Sequence, residues 1–224
     1  SFPHSPLVTT WTIQQVAVPV FLNLYLPNFL IIKAMKSSPT FGTPFKTLSH
    51  TYLTASTVWS LDHACDAYRG MSEQGFAYGS KPNDFLKSEF SRIPKAGRVL
   101  CLAEGEGRNA VFLAMQGYSV TAVDQSSVGL KKAENLAIKN GVGITTEIAD
   151  LADYDLGSNI WDGIVSISAH LPALLREKIH AKIAPALKGN GIFILEAYTE
   201  DHLKMAGIGG PPASQKDLFM SLNI

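Results

Sequence analysis

The sequence predicts an α/β fold: a Rossmann-like three-layer sandwich built on a mostly parallel sheet. Three observations predict it. Short apolar runs alternate with helical patterns from residue 98 to residue 198, the order that parallel strands joined by crossovers produce. The first of these runs passes directly into a glycine turn, "AEGEG" (103–107). Polar residues gather where the later runs end, on the side of such a sheet where ligands bind.

The elements follow in order. "RVLCLA" (98–103) reads as a buried strand. "RNAVFLAMQG" (108–117) reads as a helix closed by Gly117. "YSVTAVD" (118–124) is the second strand. "SSVGLKKAENLAIKNG" (126–141) is a second helix with Ser126 as N-cap, an inner face of Val128, Ala133, Leu136 and Ala137, and a stop at Gly141. "GITTEIAD" (143–150) and "WDGIVSISA" (161–169) are the third and fourth strands. The third helix spans 172–191, with Leu175, Ile179 and Ile183 one turn apart and Pro185 expected to kink or end it. "GIFILEAY" (191–198) is the fifth strand, and a further helix is expected from about Ser214. Upstream, "YGSKPNDFL" (78–86) reads as a turn through Gly79 and Pro82, with Asn83 or Asp84 starting a helix.

Composition limits the function. The chain has 224 residues, with 19 acidic groups balancing 19 basic ones, so no nucleic-acid surface is expected. Its two cysteines, Cys65 and Cys101, make neither a disulfide framework nor a metal cluster. No metal site is expected. Cys101, inside a strand, reads as a small apolar side chain, and the compartment as reducing, most simply the cytoplasm.

Residues 1–70 read as an N-terminal extension of unspecified structure, and 71–224 as the ligand-binding domain. The run 13–32 is long enough to span a bilayer. Pro19, Pro27, Asn23, Asn28 and two glutamines oppose that reading, so a membrane partner is not expected.

The residues at the strand ends are the candidate site. They are Ala103, Glu104, Gly105, Glu106 and Gly107; Asp124 and Gln125; Ala149, Asp150 and Leu151; Ala169 and His170; and Tyr198, Thr199 and Glu200. "GEGRNA" fits the dinucleotide fingerprint, and Asp124 lies at the spacing of a ribose-binding carboxylate. An NAD(P)-linked oxidoreductase is therefore one reading. Three details favour S-adenosylmethionine. The small domain leaves no room for a dehydrogenase's substrate domain. Asp150 stands where an adenine amino group would lie. Glu104, beside the glycines, suits the ammonium of a methionine tail and would repel a pyrophosphate.

Six motifs in order carry a more specific resemblance: "YGSKPNDFL", "VLCLAEGEGRNAVFLA", "VTAVDQS", "ADLADYDL", "HLP" and "GGPP". Together they resemble class I S-adenosylmethionine-dependent methyltransferases, in the bacterial tellurite-resistance or thiopurine-methyltransferase-like branch, over roughly residues 75–224. The resemblance implies a seven-stranded sheet whose last strand is antiparallel. It implies cofactor contacts from Ala103, Glu104, Gly105 and Gly107 at the methionine end, Asp124 at the ribose, and Asp150 with the Leu151 backbone at the adenine; Asn109, Gln125, Ala149 and Ala169 lie beside them. It also implies that the region around Phe76, Tyr78 and Phe85 covers the cofactor. Two departures stand out: Cys101 where most relatives carry an acid, and Ala103 where they carry glycine. The last two strands of the family are not expected within these 224 residues, so five strands and an open edge are expected unless the N-terminus supplies strands. Such an edge would suit pairing with a second copy.

The expected reaction is methyl transfer to a small-molecule acceptor, with S-adenosylhomocysteine as product; soft nucleophiles such as tellurite, selenite or a thiol are the family's suggestion. A cofactor-binding domain without turnover is the alternative from outside enzymes. His170 and Tyr198 are the candidate catalytic residues; Tyr78, His170, Arg176, Tyr198 and Glu200 are the candidate acceptor contacts. His170 reads equally as a helix-entry residue. Arg176 reads as solvated or ion-paired, His180 and His202 as surface residues, Glu106 as the cap of its helix, Asn109 as a second cap or a cofactor contact, and "GIGGPP" (207–212) as a lid.

Overall fold

The structure, a computed structural model, describes residues 29–35, 75–204 and 210–220. Among these residues there are six strands, β1 (Phe29–Met35), β2 (Arg98–Leu102), β3 (Ser119–Asp124), β4 (Thr145–Ile148), β5 (Trp161–Ile167) and β6 (Leu187–Tyr198). They form one sheet in the order β1-β6-β5-β2-β3-β4, and every pairing is parallel. The helices are α1 (Asp84–Glu89), α2 (Arg108–Met115), α3 (Ser127–Lys139) and α4 (Ala173–Ala186).

Period-two alternation builds the three layers. In β2, Val99 and Cys101 face a core shared with Phe85, Leu86, Ala110, Leu113 and Leu130 of α1, α2 and α3. Leu100 and Leu102 face the opposite core, with Ile179 and Ile183 of α4. The same switch separates Ile192 and Ile194 from Phe193 and Leu195 in β6. Strands buried on both faces are why the sequence shows continuous apolar runs there.

The strand order reverses between β2 and β5: the chain steps outward from β2 to β4, then returns to β2's other side. That reversal opens a crevice beyond the carboxyl ends of β2 and β5, and the glycine turn leaves β2 there.

Local signals hold where they were strongest. Ser126 caps α3, its hydroxyl accepting from Gly129 N at 3.0 Å. Asn83 caps α1, accepting from Leu86 N at 3.0 Å. Gly117 and Gly141 follow α2 and α3 with φ of 89° and 70°, the left-handed stop that glycine adopts cheaply.

Four expectations are corrected. The third predicted helix ends at Ala186, one residue past Pro185, and the strand begins at Leu187 rather than at 191. The carbonyls of Pro185 and Ala186 accept from Asn159 N and Ile160 N at 2.8 and 2.9 Å, so an outside segment closes the helix end. No helix starts near Ser214; Lys216–Leu218 is one 3-10 turn, and Thr199 bridges Met220 beyond it. The edge beside β6 is not open, because β1 pairs along it from Phe29↔Ile192 to Met35↔Tyr198. Residues 29–32 of the apolar run 13–32 are therefore strand; the rest of that run lies outside the described residues. Among the described residues no helix is long and apolar enough to cross a membrane.

Candidate active site

The turn after β2 is held by its own carboxylates. Ala103, Gly105 and Gly107 all have left-handed φ, of 50°, 61° and 84°. At Gly107 a side chain is excluded twice over: a Cβ would lie 2.3 Å from the Cβ of Ala133 on α3. Ala103 adopts its φ at a cost of roughly 1 kcal/mol, the penalty of an L-residue in this region. Gly105 N donates to Asp124 Oδ2 at 2.8 Å, and Ser126 N to Asp124 Oδ1 at 2.8 Å. Asp124 thus ties the turn to the start of α3. Burial raises its pKa above the ordinary carboxylate value, against the pull of these backbone donors.

Glu104 does what the sequence assigned to Glu106. Its Oε1 accepts from Asn109 N at 2.9 Å and Ala110 N at 2.8 Å, two of the N–H groups that the start of α2 leaves without helical partners. Burial pushes its carboxyl up to about 7; the Ala110 and Asn109 donors and Arg108 oppose the rise, and Asp124 adds to it. Cys101 lies in contact below. Its thiol is raised, first by burial and then by the Glu104 charge and hydrogen bond.

Glu106 points away from the helix it was expected to cap. Its Oε2 accepts from Ala77 N and its Oε1 from Lys132 Nζ, both at 2.6 Å. Lys132 also donates to Gly75 O at 2.8 Å. Asn109 is buried, and its Oδ1 accepts from Asn83 N at 2.9 Å rather than capping α2. Asn83 Nδ2 donates to Glu196 Oε1 at 2.6 Å, and Arg108 Nη1 lies 3.4 Å from Tyr78 O. Glu106, Arg108 and Asn109 therefore hold residues 75–83 as a strap beside the glycine turn. Phe76 and Tyr78 of the strap are exposed, whereas Phe85, expected as cover, is in the core.

Beyond β4, Ala149 N donates to Asp124 O at 3.1 Å, which sets Ala149 and Asp150 beside the end of β3. Asp150 Oδ1 accepts from Ala152 N at 2.8 Å. Asp150 is half-buried, Leu151 buried and Gln125 exposed. Lys178 and Lys182 of α4 donate to the carbonyls of Ala152 and Tyr154 at 2.6 and 3.0 Å, fixing this loop from behind.

The opposite end of the crevice is aromatic. The rings of His170 and Tyr198 lie 5.4 Å apart, those of Tyr198 and His202 4.6 Å, and those of His202 and Phe219 6.1 Å. Burial raises the Tyr198 hydroxyl pKa; Glu196 and Tyr78 add to it and Arg108 opposes it. Tyr78 and Arg108 thus face the same end. Ala169 and His170 are half-buried after β5. His202, expected at the surface, is buried, because Phe219 and Met220 return along the end of β6, with Met220 N donating to Tyr198 O at 2.8 Å. His180 is half-buried against Phe193. Its pKa falls to about 4 through burial and Arg176. Arg176, expected as solvated or ion-paired, is half-buried and donates to the carbonyls of Leu171 at 2.9 Å and of Asp217 and Phe219 at 3.3 Å. Glu200 is exposed. Of the expected lid only residues 210–212 are described. Gly210 packs on the ring pair, since a Cβ there would lie 3.0 Å from His202 Nε2 and 3.1 Å from Tyr198 Cε1.

Sequence reasoning missed Arg108, Lys132 and Glu196. Their partners lie 26 to 113 residues away for Lys132, Arg108 and Glu196, so no local pattern marks them. Among the described residues no group of three or more His, Cys, Asp or Glu is arranged to hold a metal.

This geometry can be set beside known proteins. Residues 99–191 match the family model described as a methyltransferase domain. That segment includes the glycine turn, Asp124, Asp150 and His170. The match agrees with the enzyme class expected from the sequence, a methyltransferase domain. No curated protein matches the chain. Solved structures similar to it include one determined for the conversion of a disulfide bond into a thioacetal group during echinomycin biosynthesis, at 22% identity over 54% of this chain and 52% of that one, TM-score 0.48. An S-adenosylmethionine-dependent methyltransferase from Mesorhizobium loti is similar at 23% identity over 52% of this chain and 55% of that one, TM-score 0.44. A TehB-like S-adenosylmethionine-dependent methyltransferase from Corynebacterium glutamicum is similar at 21% identity over 59% and 70%, TM-score 0.45. The chain spans about half the length of the first two, 52% and 55%.

Proposed function

We propose that this chain transfers the methyl group of S-adenosylmethionine to a small soft nucleophile, a thiol or a chalcogen oxyanion such as tellurite or selenite, in the crevice beyond β2 and β5. The observation that carries the reading is the Glu104 carboxylate on the N-terminus of α2. A dinucleotide pyrophosphate needs those helix N–H groups. Here an internal anion occupies them, which repels a phosphate and attracts an ammonium. This argues against the NAD(P) reading and for a methionine tail.

The remaining assignments follow the strand ends. Glu104 and the backbone from Ala103 to Gly107 hold the methionine end. Asp124 accepts from the ribose hydroxyls: each of its oxygens takes one backbone N–H, and a carboxylate oxygen can accept a second hydrogen bond. Asp150 and the Leu151 backbone receive the adenine, with Ala149 and Gln125 beside it; Asn109 lies at the methionine end beside Glu104, and Ala169 borders the site after β5. Residues 71–224 act as the cofactor-binding domain, to which the extension over 1–70 contributes β1. A free buried thiol at Cys101 accords with a cytosolic setting.

Bound S-adenosylmethionine supplies an electrophilic methyl on a sulfonium. The protein's part is to align the acceptor in line with it and exclude water. Tyr198 and His170 form the wall against which the acceptor rests, and Tyr78 covers it. An acceptor that is already anionic needs no general base, so His170 serves chiefly to orient it; a neutral thiol would use His170 as the proton acceptor. Arg108 carries positive charge to this end.

The test is a methyl-transfer assay with selenite, tellurite and a small thiol, run on the wild-type chain and on His170→Gln. Methylated product with at least one acceptor is expected. If His170 takes the thiol proton, the variant loses thiol turnover far more than oxyanion turnover. S-adenosylhomocysteine binding without turnover on any of the three would remove the acceptor assignment.

A further inference from the structure

The two ends of the strap 75–83 are held very differently. At one end Asn83 is fixed on four sides: it caps α1, its N–H donates to Asn109, its side-chain amide donates to Glu196, and Phe85 and Leu86 follow it into the core. At the other end Phe76, Ala77 and Tyr78 are exposed, with Tyr78 54% accessible, so apolar burial does not secure it. Main-chain contacts secure it instead: Ala77 N to Glu106, and Gly75 O to Lys132, with the guanidinium of Arg108 at Tyr78 O. Glu106 and Lys132 are themselves joined at 2.6 Å in a largely buried pair, with side chains 5% and 20% accessible. Gly75 and Gly79, which bracket this stretch, have φ of 103° and 69°, backbone that glycine adopts without strain.

Glu106 stands between the two glycines of the turn that meets the cofactor. The turn and the strap therefore share one residue, and what orders one orders the other.

We propose that Glu106 and Lys132 form a latch that keeps the strap closed beside the bound cofactor, with Asn83 as its fixed hinge end. Both are positioning residues for cofactor retention, acting through the strap and touching no reacting atom. The inference rests on the methyltransferase reading above. The pair contributes in two ways. The Lys132 ammonium is paired with the Glu106 carboxylate at 2.6 Å, and the other oxygen of that carboxylate accepts a charge-assisted bond from Ala77 N. Removing either charge weakens both strap contacts at once.

The experiment measures the dissociation rate of S-adenosylhomocysteine by stopped flow for the wild type, Glu106→Gln, Lys132→Met and the double variant. Lys131→Met is the control, since Lys131 is exposed and pairs with Glu134 at 2.9 Å, away from the strap contacts. Chymotryptic cleavage after Tyr78 is followed in parallel, with and without S-adenosylhomocysteine. Dissociation about tenfold faster in each latch variant is expected, the factor that corresponds to one charge-assisted hydrogen bond. Cleavage after Tyr78 rises with it, and the double variant is no faster than the singles, because both residues serve one latch. Lys132→Met carries the test if Glu106→Gln does not fold. Faster cleavage with an unchanged dissociation rate, or no change in either, would overturn the latch while leaving the methyltransferase reading in place. No binding of S-adenosylhomocysteine by the wild type would overturn both.

Discussion

Replacing Glu104 by glutamine is expected to change how stability depends on pH, in a direction the structure specifies. In the folded chain the Glu104 carboxyl is raised from an ordinary 4.5 to about 7, chiefly by burial. The unfolded chain keeps the ordinary value. Between these two values the folded state binds the extra proton, so this group makes stability fall as pH rises from about 4.5 to about 7. The full shift corresponds to about 3 kcal/mol, present as a penalty above pH 7 and absent at pH 4.5. Glutamine keeps an oxygen to accept from Asn109 and Ala110 and removes the charge. Urea denaturation of both chains between pH 5 and pH 8 measures the difference. Relative to wild type, Glu104→Gln gains stability from pH 5 to about pH 7 and holds that gain, about 3 kcal/mol, to pH 8. The Cys101 thiol, raised above 9.0, titrates outside the range, and Asp124 is present in both chains. Bound S-adenosylhomocysteine reverses the ranking at pH 8, because its ammonium offsets the buried charge in wild type only. Parallel curves for the two chains would refute the assigned environment of Glu104 and its link to the ammonium.

His180 acts with the opposite sign. Its pKa drops from 6.5 to about 4, so the unfolded state binds the proton first and stability is lost as pH falls from 6.5 towards 4. His180→Gln removes about 3 kcal/mol of that acid loss, visible as flatter urea midpoints between pH 7 and pH 4. Because His180 and Glu104 slope in opposite directions near pH 6, the wild-type curve alone is shallow there, and the difference curves carry the information. Gly107→Ala places a Cβ against Ala133 in a left-handed backbone; it is expected to cost about 3 kcal/mol or more and to drop the thermal midpoint by several degrees. Asp124→Ala removes the two carboxylate oxygens that accept from Gly105 N and Ser126 N, so it lowers the thermal midpoint of the free chain and, under the proposed ribose contact, cofactor affinity as well.

The sequence revealed β2 through β6 because two-sided burial writes itself as apolar runs, and helix ends because Gly117, Ser126 and Gly141 act through their nearest neighbours. β1 was hidden because "FLIIKAM" closes a longer apolar run in which a strand and a membrane span look alike. Its partner is 163 residues away at Phe29↔Ile192. In the site, Asp124 was legible as a strand-end carboxylate, yet its hold on Gly105 and Ser126 was not. Glu104, not Glu106, caps the helix for a geometric reason: proximity in sequence favours the residue nearest the helix, but Gly107 turns the chain so that Glu104 reaches back over the first turn while Glu106 faces the strap. His202 became a buried ring only because Phe219 and Met220 fold back on Tyr198, a contact that polarity at position 202 does not announce.

Calorimetric titration of the chain with S-adenosylhomocysteine, and separately with NADH, tests the central claim most directly. Saturable binding of S-adenosylhomocysteine, weakened as pH falls below 7 and made insensitive to that fall by Glu104→Gln, is the predicted result. Binding of NADH without binding of S-adenosylhomocysteine would contradict it, because a pyrophosphate would then be seated where Glu104 now caps α2.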